Sequence, residues 1–220
     1  MADITKNFKA VLFDMDGVIV DSMPYHFISW FEALQQYGVS VTPLDIYEKE
    51  GEKSDICIKY FFEKNNVAIN DTIIKKVLSL RNDIFQKYFK LRLFPNIENI
   101  LKDLKKKGIL LAIVTGSSRN KVISILPASI SEIFDIIISA DMLKQGKPFP
   151  EPYLMAAEKL QLLPSQCMVI ENAPYGIRAA KAANMYCIAV ATGLPKQYLE
   201  QADETYNTLG EIFNKHTNVL

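Results

Sequence analysis

Val11-Leu12-Phe13-Asp14-Met15-Asp16-Gly17-Val18 governs how the remainder of the chain is read. Lys9 to Phe13 is a short run of buried-strand type, and two carboxylates at i and i+2, followed directly by Gly17, stand where that strand ends. Residues two apart in an extended strand point to the same face, so Asp14 and Asp16 are expected to emerge side by side. Two close carboxylates repel and raise one pKa strongly unless a divalent metal or a shared proton compensates. Asp-x-Asp-Gly is also an ordinary strand-to-turn sequence, so the pair gains meaning only from motifs further along the chain.

Residues 22–90 read as helical and contain no strand. Tyr25 to Tyr37, Lys53 to Lys64 and Thr72 to Phe89 each place apolar residues at helical spacing, as in Phe27, Trp30, Phe31 and Leu34. The aromatic-rich face of this block (Phe61, Phe62, Phe85, Tyr88, Phe89) reads as core packing. From Phe94 onward strands alternate with helices. Ile97 to Lys107 is an amphipathic helix closed by Gly108, Ile109 to Val114 an apolar strand, and Asn120 to Leu126 a short helix. Strands at Phe134 to Ile138, Met168 to Ile170 and Cys187 to Val190 are separated by helices at Pro152 to Leu160 and Tyr175 to Ala183. Purely apolar strands flanked by helices belong to a sheet covered on both faces. The fold expected is therefore α/β, a doubly wound, Rossmann-like parallel sheet formed by residues 1–20 and 92–220, with an all-helical insertion at 21–91.

Twenty-five basic residues balance twenty-five acidic ones, so there is no electrostatic footprint for nucleic acid. No apolar run is long enough to span a bilayer, and Met1 to Phe8 lacks the basic start and apolar centre of a signal peptide. These features point to a cytoplasmic protein with no membrane partner, and a monomer is the default. Cys57, Cys167 and Cys187 form an odd set without Cys-x-x-Cys spacing and read as buried, reduced thiols. With only His26 and His216 available, a multi-histidine zinc site within one chain is ruled out. A metal here is expected to have oxygen ligands, which points to magnesium.

In doubly wound sheets, ligands bind outside the carboxyl ends of the strands. Asp14 and Asp16 follow the first strand, Thr115-Gly116-Ser117-Ser118 the second, and Glu171-Asn172 the strand at 168–170. Lys147, in Gly146-Lys147-Pro148, lies in the loop after the strand at 134–138. This set suits phosphoryl transfer. An aspartate can attack phosphorus, and a second carboxylate can protonate the leaving oxygen and then deprotonate water. A hydroxyl at Thr115 and the N–H groups of Gly116 and Ser117 can hold phosphoryl oxygens, while Lys147 and Mg²⁺ neutralise their charge.

These residues resemble the haloacid dehalogenase superfamily, in the subgroup that includes β-phosphoglucomutase and many small-metabolite phosphatases. The resemblance covers almost the whole chain. It rests on Phe13-Asp14-Met15-Asp16-Gly17-Val18 with Asp21-Ser22, on Val114-Thr115-Gly116-Ser117, on Gly146-Lys147-Pro148 with Pro150-Glu151-Pro152-Tyr153, and on Val169-Ile170-Glu171-Asn172-Ala173-Pro174 with Gly176. It implies that Asp14 is the nucleophile and Asp16 the general acid/base, with Thr115 and Lys147 binding the transferring group. It implies magnesium held by the Asp14 side chain, the Asp16 carbonyl and an oxygen of the Glu171-Asn172 pair. The family more often has aspartate where Asn172 stands. An amide oxygen supplies no charge, so weaker affinity or a larger share for Glu171 is expected.

The helical insertion resembles the family's cap domain, which carries specificity. His26 matches a histidine that in the mutase couples closure to catalysis. The mutase grips its substrate's non-reacting phosphate with an arginine in a Gly-x-x-Arg context. In Gly51-Glu52-Lys53-Ser54 that position is serine, leaving Lys53 beside it and Arg81-Asn82 as a second polar pair. The function implied is a Mg²⁺-dependent phosphatase acting on a small phosphorylated metabolite, such as a sugar phosphate. A phosphosugar mutase and a catalytically weakened binding module are the alternatives.

Overall fold

Ala10–Phe13 (β1) buries all four side chains, as its apolar sequence requires. The computed structural model describes residues 8–216. Residues 1–7, within the segment read as lacking a signal peptide, lie outside the described residues, as do 217–220. After β1 come four helices, α1 (Met23–Gln35), α2 (Pro43–Tyr47), α3 (Ser54–Lys64) and α4 (Asp71–Tyr88). The alternating part comes next: α5 (Ile97–Lys106), β2 (Leu110–Val114), α6 (Arg119–Ile125), α7 (Ala128–Ser131), β3 (Ile136–Ile138) and α8 (Glu151–Lys159). It continues with β4 (Cys167–Glu171), α9 (Pro174–Ala182), β5 (Tyr186–Val190), β6 (Glu204–Tyr206) and α10 (Leu209–Lys215).

All six strands pair in parallel in the order β3-β2-β1-β4-β5-β6. Ala10 lies opposite both Leu110 and Cys167, so β1 is central. The chain winds outward from β1 on one side and returns to build the other. The loops after β1 and β4 therefore diverge and open the crevice where such sheets bind ligands.

Strand residues alternate between two cores. Val11, Phe13, Leu111, Ile113 and Ile170 pack on the side of Leu101, Leu104 and Ile212 from α5 and α10. Leu12, Ala112, Val114, Val169 and Ala189 face Tyr153, Ala156 and Ile177 from α8 and α9. Each fully buried large side chain contributes roughly 1.5–3 kcal/mol of transfer free energy.

The helical insertion has a core of its own, with Trp30, Leu34, Ile58, Phe61, Phe62 and Val77 buried together. Trp30 meets Phe61 edge to face at 5.7 Å between centroids. Helix α4 begins where Asn70 accepts a hydrogen bond from the Ile73 N–H at 3.0 Å, and α2 where Thr42 and Asp45 form a capping box. Helices α2, α7 and α10 and strand β6 escaped the sequence reading. Each is three to seven residues long, too short for a hydrophobic period to declare itself. Strand β6 is Glu-Thr-Tyr, held by parallel pairing to β5 and by the Tyr186 hydroxyl donating to Glu204 at 2.7 Å. The three cysteines are buried and unbridged. Among the described residues no helix is long and apolar enough to cross a membrane.

Candidate active site

Strand β1 stops at Phe13, and the alternation expected to set Asp14 beside Asp16 stops with it. The Asp14 N–H still donates to the Ile170 carbonyl at 3.0 Å, but Gly17 turns the chain at φ +82° and Asp16 sits in that turn. Each carboxylate consequently has its own partners rather than a shared proton. Asp14, Asp16, Thr115, Lys147, Glu171 and Asn172 are all at most 3% exposed.

Lys147 joins the loop after β3 to the loop after β1 and to the last residue of β4. Its Nζ donates to Asp14 Oδ1 at 2.7 Å and to Glu171 Oε1 at 2.5 Å. Burial opposes the ammonium, but these two carboxylates outweigh it and hold the Lys147 pKa above the ordinary lysine value. Glu171 Oε1 also accepts from the Tyr153 hydroxyl at 2.8 Å, and its Oε2 accepts the N–H groups of Asn172 and Ala173 at 2.9 and 3.2 Å. Both oxygens of Glu171 are therefore engaged. Its two oxygens serve four donors, Lys147, Tyr153 and the Asn172 and Ala173 N–H groups. Gly176 makes this possible, because a Cβ there would lie 1.7 Å from Glu171 Oε1.

One ammonium serves two buried carboxylates here, and Asp16 adds a third negative charge nearby. Burial, with Glu171 and Asp16 adding repulsion, pushes the Asp14 carboxyl above the carboxylate range despite Lys147. A divalent cation is the natural compensation for this surplus. The donor set fits one: Asn172 is 2% exposed and its Oδ1 has no hydrogen-bond partner. The amide lies against Gly17, where a Cβ would come within 2.0 Å of Nδ2. Glycine at 17 thus serves both the turn and the approach of Asn172.

Asp16 accepts from Ser22 Oγ at 2.5 Å and from His26 at 3.0 Å through Oδ1, and from Ser117 Oγ at 3.3 Å through Oδ2. Arg81 donates to His26 Nδ1 at 2.9 Å. A guanidinium only donates, so Nδ1 is the acceptor and the ring hydrogen sits on Nε2, facing Asp16. Burial, and then the charge of Lys121, lower the His26 pKa. For Asp16, burial would raise the pKa, but His26, Lys121 and Ser22 outweigh it and hold the carboxyl well below its ordinary value. Arg81 also donates to Ser54 Oγ at 3.1 Å and stacks over Trp30 at 4.2 Å.

Thr115 Oγ1 accepts the Ser117 N–H at 3.0 Å. Thr115, Gly116 and Lys147 line one small void of about 10 Å³ beneath Gly51 of the helical unit. The approach there is close. A Cβ on Gly116 would lie 2.9 Å from the Gly51 carbonyl, and one on Gly51 would lie 2.6 Å from Lys147 Cδ. Lys53, expected as a substrate cation, lines the same cavity as His26, Arg81, Gly116 and Ser117, and its ammonium donates to the carbonyls of Leu143 and Lys144 at 3.3 and 2.7 Å. Its ammonium ties the helical unit to the sheet domain through two of its three donors. Above His26, Gly116 and Ser117 lies a cavity of about 470 Å³ that also takes in Arg81, Glu50 and Lys121.

Sequence reasoning missed Lys121 and Glu50. Lys121 is three residues after Ser118, which caps α6, and so returns to the face of the Thr115 loop. That spacing is a usable signal. Glu50 sits in a loop whose path only the packing of α2 and α3 defines.

The arrangement can hold a phosphoryl group between Asp14, Lys147, Thr115 and a cation, with an organic portion in the cavity above. Known proteins agree in kind. The model of the family described as haloacid dehalogenase-like hydrolase matches residues 11–190. A β-phosphoglucomutase of Bacillus subtilis is 31% identical over 196 residues, covering 85% of this chain and 85% of that protein. A phosphorylated carbohydrates phosphatase of Thermotoga maritima is 29% identical over 183 residues, covering 80% and 82%. The crystal structure of β-phosphoglucomutase from Clostridium difficile superposes with a TM-score of 0.84 at 25% identity over 96% of both chains. The chain also aligns at 33% identity with the chloroplast protein SUPPRESSOR OF QUENCHING 1 of Arabidopsis thaliana, of which it spans 19%. By family model, sequence and fold alike, the chain belongs to the haloacid dehalogenase-like hydrolases and is an enzyme of that family.

Proposed function

We propose that the protein is a Mg²⁺-dependent phosphatase of a small organophosphate, a sugar phosphate in particular, working through an aspartyl-phosphate. The observation that carries this reading is Lys147, buried and bonded at once to Asp14 and Glu171. An Asp14 oxygen attacks phosphorus, the bond to the leaving alcohol oxygen breaks, and Asp16 gives that oxygen a proton. Water then attacks the aspartyl-phosphate, Asp16 takes its proton, and inorganic phosphate leaves with Asp14 restored. Asp16 is held ionised before substrate enters, so the proton it gives to the leaving oxygen is taken up from solvent as substrate binds and is regained from the attacking water in the second step. Lys147 and the Thr115 hydroxyl steady the phosphoryl oxygens. The Asp14 side chain, the Asp16 carbonyl and Asn172 Oδ1 are the ligands proposed for magnesium, which when bound supplies charge neutralisation to the phosphoryl group.

Residues 21–91 act in this reading as a cap. The carboxylates are enclosed beneath Gly51, so substrate enters only when the helical unit lifts, and its return excludes bulk water. The test is release of inorganic phosphate from a panel of sugar phosphates with and without Mg²⁺. No release from any member would refute the reading.

The similarity to β-phosphoglucomutases supports a second reading, a phosphosugar mutase. Conversion of β-glucose 1-phosphate to glucose 6-phosphate, stimulated by the bisphosphate, would decide for it. Against it stands Ser54, where the mutase resemblance calls for arginine, and Lys53, whose ammonium is already bound to two carbonyls.

A further inference from the structure

The cavity above Ser117 brings together three polar groups that have no hydrogen bond among the described residues. Among the described residues the Glu50 carboxylate makes no hydrogen bond or ion pair, although one of its oxygens lies within 4.8 Å of ligand atoms of both Asp16 and His26. Among the described residues the Lys121 ammonium makes no hydrogen bond or ion pair; it lies 4.2 Å from the Phe85 ring centroid, with Asp16 and Glu50 attracting it from further off. Arg81 Nε is buried without a partner. An unpaired acceptor facing unpaired donors across one cavity is matched by hydroxyl groups, each of which donates and accepts. It is not matched by a second phosphate, which only accepts and would be repelled by Glu50. The formal charge of the lining agrees, with four basic and four acidic side chains. The positive groups nearest Asp16 are thus balanced before any ligand enters.

We propose that Glu50 is a specificity-determining residue: its carboxylate accepts hydrogen bonds from hydroxyl groups of a polyhydroxylated phosphomonoester, Lys121 donates to the same ligand, and a substrate bearing a second phosphate is rejected. The inference rests on the phosphatase reading and extends it to the class of alcohol released. Glu50 comes from the helical unit and Lys121 from α6 of the sheet domain, so the pair exists only when the two parts are together. A ligand hydroxyl spanning it would favour the closed form.

The experiment measures kcat/KM for wild type, Glu50→Gln, Glu50→Asp and Lys121→Met. The probes are a panel of hexose monophosphates, glucose 1,6-bisphosphate, and p-nitrophenyl phosphate, whose alcohol carries no further hydroxyl. Glu50→Gln is expected to lower the ratio of the best hexose monophosphate to p-nitrophenyl phosphate about tenfold or more, the loss expected for a hydrogen bond to a charged group. Glu50→Asp should recover part of that ratio, Lys121→Met should lower it, and Glu50→Gln should raise bisphosphate relative to monophosphate. An equal fall on all three probes would show that Glu50 is merely structural and would overturn the proposal, as would an unchanged ratio. Absence of turnover with every probe in the wild type would instead remove the phosphatase reading itself, an outcome distinct from both.

Discussion

Arg81 and His26 meet at 2.9 Å, and because a guanidinium cannot accept, this single contact places the imidazole hydrogen on Nε2, 3.0 Å from Asp16. A residue of α4 thereby sets the hydrogen-bonding of a carboxylate in the loop after β1. Arg81→Met frees the ring to adopt either tautomer. It should lower kcat by up to about 10²-fold, the lower end of what a positioned acid–base group contributes. Steady-state kinetics of phosphate release should show the loss chiefly in kcat.

Asp14→Asn removes the nucleophile while keeping a side chain of the same shape. Lys147 keeps Glu171 as a partner, so the variant should stay folded and lose turnover. Circular dichroism and a phosphate-release assay together check this, and a fully active variant would sink the mechanism.

Lys147→Met leaves Asp14 and Glu171 buried together with no cation between them. Stripping one member from a buried ion-paired group costs about 3–5 kcal/mol. Chemical denaturation at neutral pH should show a fall of that order in unfolding free energy.

Asn172→Asp adds one negative charge at an oxygen that has no partner in the wild type. Tighter Mg²⁺ binding should result, read as a larger rise in thermal midpoint at a fixed metal concentration. Saturation at 100 times the dissociation constant stabilises the native state by about 2.7 kcal/mol. Removal of metal by a chelator should reverse the order, because the added carboxylate then joins a buried site already rich in negative charge.

Lys121 has its pKa lowered to about 8, first by burial and then by Arg81, with Asp16 and Glu50 opposing. Its ammonium is present below that value and lost as pH rises through it. For a polyhydroxylated substrate, kcat/KM should fall on the alkaline side of about pH 8, and Lys121→Met should abolish that limb of the profile.

The order of chemistry-bearing segments was legible in the chain itself. Apolar runs such as Ile109 to Val114 and Met168 to Ile170, flanked by helical segments, read as doubly covered strands, and parallel strands present their following loops at one edge. That rule alone brings Asp14, Thr115, Lys147 and Glu171 together before any coordinates. Local pattern could not say which partner each group takes. Glu171 and Lys53 looked available as a metal ligand and a substrate cation. In the fold Glu171 also accepts from Tyr153, and Lys53 donates to the carbonyls of Leu143 and Lys144, partners that no local pattern announces. Glu50 and Lys121, 71 positions apart in the chain, converge on one cavity only once the helical unit meets the sheet domain, where Phe85 of α4 lies against Lys121 of α6. Sequence periodicity records which face of an element is apolar, whereas hydrogen-bond partnership across elements depends on distances that exist only after docking.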